Sequence, residues 1–259
     1  MDLQLNNRLA LVSGSTAGIG YSIAEALLRE GARVIVNGRS QASVDAAVAK
    51  LGAGAIGFAG DLATAAAAEA LAAAYPDIDI LVNNLGIFEP KAFEDIPDAD
   101  WMRFFEVNVL SGARLARLVL PGMKRRNWGR IVFISSESGL QIPAEMVHYG
   151  MTKSAQIAIA RGIAETVAGS GITVNSVLPG PTRSRGVEDF VQALAGDSGQ
   201  TFEQFEQEFF EKVRPTSLIK RFATTEEVAA MVTYLCSPLA SATTGAALRV
   251  DGGTVKSAF

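Results

Sequence analysis

Leu9-Ala10-Leu11-Val12 runs straight into Ser13-Gly14-Ser15-Thr16-Ala17-Gly18-Ile19-Gly20, after which Ile23, Ala24, Ala26, Leu27 and Leu28 recur at helical spacing. An apolar run, a glycine turn and an amphipathic stretch read as strand, turn and helix. No other feature constrains the fold as tightly, because a buried strand feeding a helix begins a sheet covered by helices. Glycines at 14, 18 and 20 permit tight backbone geometry and let main-chain N–H groups at a helix N-terminus approach a pyrophosphate. The turn nominates Gly14, Ser15, Thr16, Gly18, Ile19 and Gly20 as dinucleotide contacts.

The rhythm repeats along the chain. Gly31 ends the first helix, Arg33-Val34-Ile35-Val36 forms a second strand, and its tip is Asn37-Gly38-Arg39-Ser40. Such a tip faces the adenosine ribose. It carries no acid for a 2′-hydroxyl, whereas Arg39 suits a 2′-phosphate, so Asn37 and Arg39 point to NADP(H) ahead of NAD(H). The third strand, Ala55–Ala59, closes with Gly60-Asp61-Leu62, where Asp61 either caps the alanine-rich helix that follows or meets the adenine, with Leu62 beside it. The fourth, Ile78–Val82, leads into Asn83-Asn84-Leu85-Gly86, placing Asn83, Asn84 and Gly86 at the carboxyl edge where ligands of such sheets sit.

A helical pattern spans Asp100 to Arg126, with Asn108 among apolar neighbours, which implies a specific buried hydrogen bond or a water site. The basic cluster Lys124, Arg125, Arg126 and Arg130 follows it and reads as charge complementing the helix C-terminus. The fifth strand, Ile131–Ile134, ends in Ser135-Ser136-Glu137-Ser138-Gly139. The sixth, Ile172–Leu178, is stopped by Pro179-Gly180-Pro181-Thr182, and Ala247–Val250 is the last. Seven strands alternating with helices predict one α/β domain over 1–259, a doubly wound parallel sheet with helices on both faces. Residues 183–215 break the alternation. There Thr201 and Gln204 form a capping box and Phe202, Phe205 and Phe209 share a face, so the segment is either a substrate lid or a helix packed on the body.

Tyr149 and Lys153 stand four apart and share a helix face. A phenol titrates near pH 10, and an adjacent ammonium favours the phenolate, so the pair is a candidate acid/base. A net charge of −4 gives no broad footprint for nucleic acid. One cysteine, Cys236, excludes an internal disulfide, and one histidine, His148, excludes a histidine-rich metal site. No stretch approaches the ~20 apolar residues of a membrane span, and a soluble, cytoplasmic protein is expected.

In combination, the glycine turn from Ser13 to Gly20, Asn83-Asn84-Leu85-Gly86, Asn108, Ser136, Tyr149 with Lys153, and Pro179-Gly180 resemble the short-chain dehydrogenase/reductase family over nearly the full length. Ser13 stands where the family usually has threonine, and Leu85 where it has alanine. The resemblance implies a Rossmann-like oxidoreductase moving a hydride between NADP(H) and a small carbonyl or alcohol. It also implies Tyr149 as general acid/base, Lys153 lowering its pKa and binding the nicotinamide ribose, Ser136 polarising the carbonyl, and Asn108 holding a water that links Lys153 to solvent. Ser135 and Ser138 compete with Ser136 for that role. Thr182, with Pro179 and Gly180, would complete the cofactor site, and Glu137, Ser138, Leu140, Ile142, His148 and Pro181 would shape the substrate pocket. A homotetramer, or a homodimer, packed through helices 100–126 and 148–168 is implied as well. The competing reading is a non-catalytic NAD(P)-binding sensor or scaffold on the same fold.

Overall fold

The computed structural model describes residues 2–184 and 201–258. Within them, β1 (Leu9–Val12), α1 (Gly18–Arg29), β2 (Arg33–Gly38), α2 (Gln41–Leu51), β3 (Ala55–Ala59), α3 (Ala65–Ala74) and β4 (Ile80–Asn83) follow in strict alternation. Next come α4 (Asp98–Phe105), α5 (Ser111–Arg126), β5 (Gly129–Ile134), α6 (Val147–Thr166) and β6 (Ile172–Pro179). After the two-residue β7 (Thr182–Arg183), α7 (Phe202–Glu208), β8 (Ala223–Thr224), α8 (Thr225–Cys236) and β9 (Ala247–Val250) complete the described elements.

The main sheet has seven strands in the order β3-β2-β1-β4-β5-β6-β9, all parallel. Side chains alternate across each strand, so successive apolar residues build two cores. Ala10, Val12, Val34 and Val36 face α1 and α8, whereas Leu11, Ile35 and Leu81 face α3, α5 and α6. The direction of strand addition reverses between β1 and β4, opening a crevice at their carboxyl ends.

Several sequence expectations meet a more specific arrangement. The helix expected over 100–126 is interrupted by a π-helical turn at Glu106–Leu110, which holds Asn108. Asp61 does not cap α3; Thr64 does, while Asp61 Oδ1 accepts the Ala63 amide at 3.0 Å. Arg130 is no surface charge at a helix end. It is 2% exposed, donates to the carbonyls of Gly129, Gly171 and Ser237, and lies over the Trp128 ring. Burial pulls its pKa down, and the carbonyls satisfy its donors. Cys236 is buried as expected, and burial pushes its thiol up to about 12.

The 183–215 segment falls partly outside the described residues. The capping box at its described end is present: Thr201 Oγ1 accepts the Gln204 amide at 3.3 Å, and Gln204 Oε1 accepts the Thr201 amide at 3.0 Å. Phe205 and Phe209 pack together against Phe222, closing one wall of the crevice.

Candidate active site

The first wall is the glycine turn. Gly14 and Gly18 sit at φ +61° and +58°, which side chains rarely adopt, and a Cβ on Gly20 would lie 2.5 Å from Asn84 Nδ2. That amide donates to the carbonyls of Ser13 and Gly14, both at 3.0 Å. The Ser13 hydroxyl accepts the amides of Asn84 and Leu85 at 3.0 Å, so serine supplies the hydroxyl that locks the β1 turn to the β4 turn. Helix α1 starts without a side-chain cap, which leaves N–H groups of its first turn for an anion. Gly86 leaves space in front of the lysine, since a Cβ there would stand 3.6 Å from Lys153 Nζ. A cradle that glycine keeps open, ending at an uncapped helix N-terminus, fits a dinucleotide.

Not every nominated residue faces that cradle. Ser15 is fully buried: its hydroxyl donates to Val12 O at 2.7 Å and accepts the Asn37 amide at 2.9 Å. The Asn37 side chain accepts the Gly14 amide at 3.1 Å and donates to the carbonyls of Phe58 and Gly60. Both hold the turn from beneath. Asn83 and Leu62 are buried too, 3% and 1% exposed, with Asn83 directed at Gly112 of α5. Thr16 packs against Gly38, and Arg39 and Asp61 are exposed at the tips of β2 and β3. Leu85 packs on the core and over Gly14, away from the crevice lining.

At the carboxyl edge lies a cavity of about 530 Å³. Ile19, Asn84, Gly86, Ser136, Tyr149, Lys153, Pro179, Gly180 and Thr182 all line it, so sequence-nominated residues that follow β1, β4, β5 and β6 meet in one place. Glu137, Ser138 and Pro181 line it as expected, but Leu140, Ile142 and His148 do not. His148 is buried under Trp101 and Phe104, its ring 4.0 Å from that of Phe104, and burial lowers its pKa.

The polar core of the site is a chain of short contacts. Lys153 Nζ donates to Ile134 O at 2.9 Å and to Gln156 Oε1 at 3.2 Å, and stands 5.5 Å from the Tyr149 ring centre. Gln156 Nε2 donates to Asn108 O at 2.6 Å. The Asn108 side chain accepts the Ile87 amide at 2.8 Å and donates to Ile87 O at 2.9 Å and Thr152 Oγ1 at 3.0 Å. The π turn loosens the helical ladder around Asn108, and the Gln156 amide ties Lys153 to the Asn108 carbonyl. Of the three candidate serines, Ser135 donates into the body, to Lys153 O at 2.7 Å. Ser136 and Ser138 both donate to Glu137 Oε2, at 2.5 Å and 3.2 Å. Of the three, Ser136 is the one that acts on the Tyr149 phenol, pulling its pKa down.

The electrostatics reverse one sequence expectation. The Tyr149 phenol is raised, not lowered: burial is the larger cause, the Glu137 charge adds to it, and the Ser136 hydrogen bond and Arg214 only partly oppose them. Burial also pulls Lys153 down to about 8, against the pull of Glu137. The ammonium is aimed at a carbonyl and an amide, and the charge that raises the phenol is the Glu137 carboxylate. Sequence reasoning missed Gln156 and Arg214. A glutamine on an apolar helix face three residues after Lys153 was a usable signal, whereas nothing marked Arg214.

A family model described as enoyl-(acyl carrier protein) reductase matches residues 14–255. The chain belongs to the short-chain dehydrogenase/reductase family. It is 47% identical to the oxidoreductase YvaG of Bacillus subtilis over all of both chains. It is 36% identical to a D-beta-hydroxybutyrate dehydrogenase of Cupriavidus necator, covering 97% of this chain and 99% of that one. The L-sorbose reductase of Gluconobacter frateurii, solved with NADPH and L-sorbose, superimposes with a TM-score of 0.94 at 30% identity, covering 99% of this chain and all of that one. As a short-chain dehydrogenase/reductase the protein is an oxidoreductase with a nicotinamide-binding fold.

Gln156→Leu keeps the volume but removes an acceptor from Lys153 and the donor to Asn108 O. The buried groups left unpaired are expected to cost about 1–3 kcal/mol, read as a lower midpoint of thermal unfolding. A midpoint unchanged from the parent protein contradicts the bridge.

Proposed function

We propose that this enzyme reduces a small carbonyl compound with NADP(H), Tyr149 delivering the proton. The observation that carries this is a phenol, a serine hydroxyl and a lysine converging on one crevice at the switch point of the sheet. The nicotinamide, when bound, supplies a hydride to the carbonyl carbon. As charge develops on the carbonyl oxygen, the hydroxyls of Ser136 and Tyr149 are the donors that face it, and Tyr149 gives up its proton. Lys153 stays a fixed positive charge behind the ring, oriented by Ile134 O and Gln156. Asn108 acts at one remove, tying Ile87 to Thr152 and taking Gln156 on its carbonyl. Giving up that proton leaves a Tyr149 phenolate that burial and the Glu137 charge disfavour, and the Lys153 ammonium 5.5 Å from the ring centre is the positive charge that compensates it.

Gly14, Thr16, Gly18, Ile19, Gly20, Asn84, Gly86, Pro179, Gly180 and Thr182 would hold the dinucleotide, with Ser15, Asn37, Asn83 and Leu62 shaping that cradle from below. Asp61 would stand at the adenine and Arg39 at a 2′-phosphate. Arg39 is exposed where residues 36–40 offer no acid, and the L-sorbose reductase likeness includes NADPH, which supports NADP(H) over NAD(H). The aromatic wall of Phe205 and Phe209 supports a lid role for the described part of 183–215. Exposed Met102 and Phe105 on α4 support assembly through this helical face, as a homotetramer or homodimer. A cytoplasmic location belongs to the same reading. A scaffold that only bound the dinucleotide would need no proton donor.

Two substitutions test it. Tyr149→Phe should lower kcat for NADPH-dependent carbonyl reduction by at least about 10²-fold while leaving NADPH binding intact, and a variant with full turnover contradicts the role. Arg39→Ala should weaken NADPH far more than NADH in a direct binding titration, whereas equal losses contradict the assignment.

A further inference from the structure

The Ser136 hydroxyl already has an acceptor. It donates to Glu137 Oε2 at 2.5 Å, and the same oxygen takes the Ser138 amide at 2.8 Å and the Ser138 hydroxyl at 3.2 Å. Glu137 is 5% exposed, yet it lines the crevice beside Tyr149. A carbonyl oxygen arriving between Ser136 and Tyr149 needs the serine proton, and taking it strips a donor from a buried carboxylate. A plain ketone offers nothing in return. A ketone with a hydroxyl on the neighbouring carbon does: that hydroxyl can donate to Glu137 while the carbonyl accepts from Ser136. The spacing suits the exchange, since Ser136 Oγ and Glu137 Oε2 lie 2.5 Å apart, close to the separation of oxygens on adjacent carbons.

Arg214 fixes the carboxylate and sets the charge of this corner. Its Nε is 3.4 Å from Glu137 Oε1 and its Nη1 is 3.1 Å from Glu145 Oε1, with the arginine side chain 12% exposed. Glu137 and Glu145 are offset by Arg214 and the Lys153 ammonium, so the charged lining of the crevice balances. A substrate carboxylate has no proton to donate to Glu137, whereas a neutral hydroxyl has one.

We propose that the substrate is an uncharged α-hydroxy ketone, its hydroxyl held by Glu137 and its carbonyl by Ser136 and Tyr149. The proposal rests on the carbonyl-reductase reading of the same site and names its substrate class. Reduction breaks the carbonyl π bond, adding a hydride from reduced nicotinamide dinucleotide to carbon and the Tyr149 proton to oxygen. A vicinal diol and the oxidised dinucleotide leave.

The test uses the whole protein with NADPH and matched ketones, acetoin against butanone and hydroxyacetone against acetone, with acetoacetate as the charged arm. The kcat/KM of each hydroxy ketone is expected to exceed that of its partner by on the order of 10²-fold, with acetoacetate no better than the plain ketones. In the NADP⁺-saturated protein, butane-diol with vicinal hydroxyls should raise the unfolding midpoint where butanol does not. Glu137→Gln should shrink the preference by about tenfold or more, and the wild-type pairs decide the matter if that variant does not fold. Equal kcat/KM within the pairs, or a preference for acetoacetate, overturns the substrate class and leaves the reductase reading standing. No NADPH oxidation with any of these carbonyls overturns both.

Discussion

A half-buried phenol that shares its crevice with a buried carboxylate is the constraint around which this site is arranged. Low polarity alone disfavours a charged tyrosine, and the Glu137 charge disfavours it further, so Tyr149 is held as a proton donor. The nearby Lys153 does not undo this. Its own charge is disfavoured by burial, and its donors are committed to Ile134 O and Gln156 Oε1. The balance of three groups, rather than a tyrosine and lysine pair, sets how readily Tyr149 parts with its proton.

The scaffold makes that balance possible by fixing each group from a different element. Ser136 follows β5, Tyr149 and Lys153 share a face of α6, and Arg214 reaches in from the far side of the crevice to pair with Glu137, 77 residues away in sequence. Gln156 joins α6 to the π turn through Asn108 O, so the lysine and the asparagine belong to one hydrogen-bonded unit. On the cofactor side, Ser13 and Asn84 bind the β1 and β4 turns together, and Gly20 leaves the space that the Asn84 amide needs. These links lie in buried or half-buried surroundings, where an unpaired polar group would be costly.

Much of this was legible in the residues. Apolar runs bounded by glycine and asparagine marked β1, β3 and β9 at their observed limits, in the buried β1 and in the half-exposed edge strands β3 and β9 alike. The capping box at Thr201 formed as its spacing predicts. The convergence of Asn84, Ser136, Tyr149, Lys153 and Thr182 followed from their shared position after strand ends. What sequence could not show was which way polar side chains turn and what stands near them from far along the chain. Ser15 and Asn37 face inward, Arg130 is buried under three carbonyls, and the sign of the Tyr149 shift depends on Glu137 and on burial. Spacing on one helix shows a lysine near a tyrosine, but not a carboxylate that arrives from a separate turn.

The central claim concerns a single proton, and it can be followed directly. With the tyrosine ring carbons isotopically labelled and Tyr149 assigned by comparison with a phenylalanine variant, the Cζ resonance of the free protein can be titrated by NMR. The phenol is expected to remain protonated beyond its ordinary value of about 10. Ionisation well below that value would show that the lysine, not the carboxylate and burial, governs the ring, and would contradict the account.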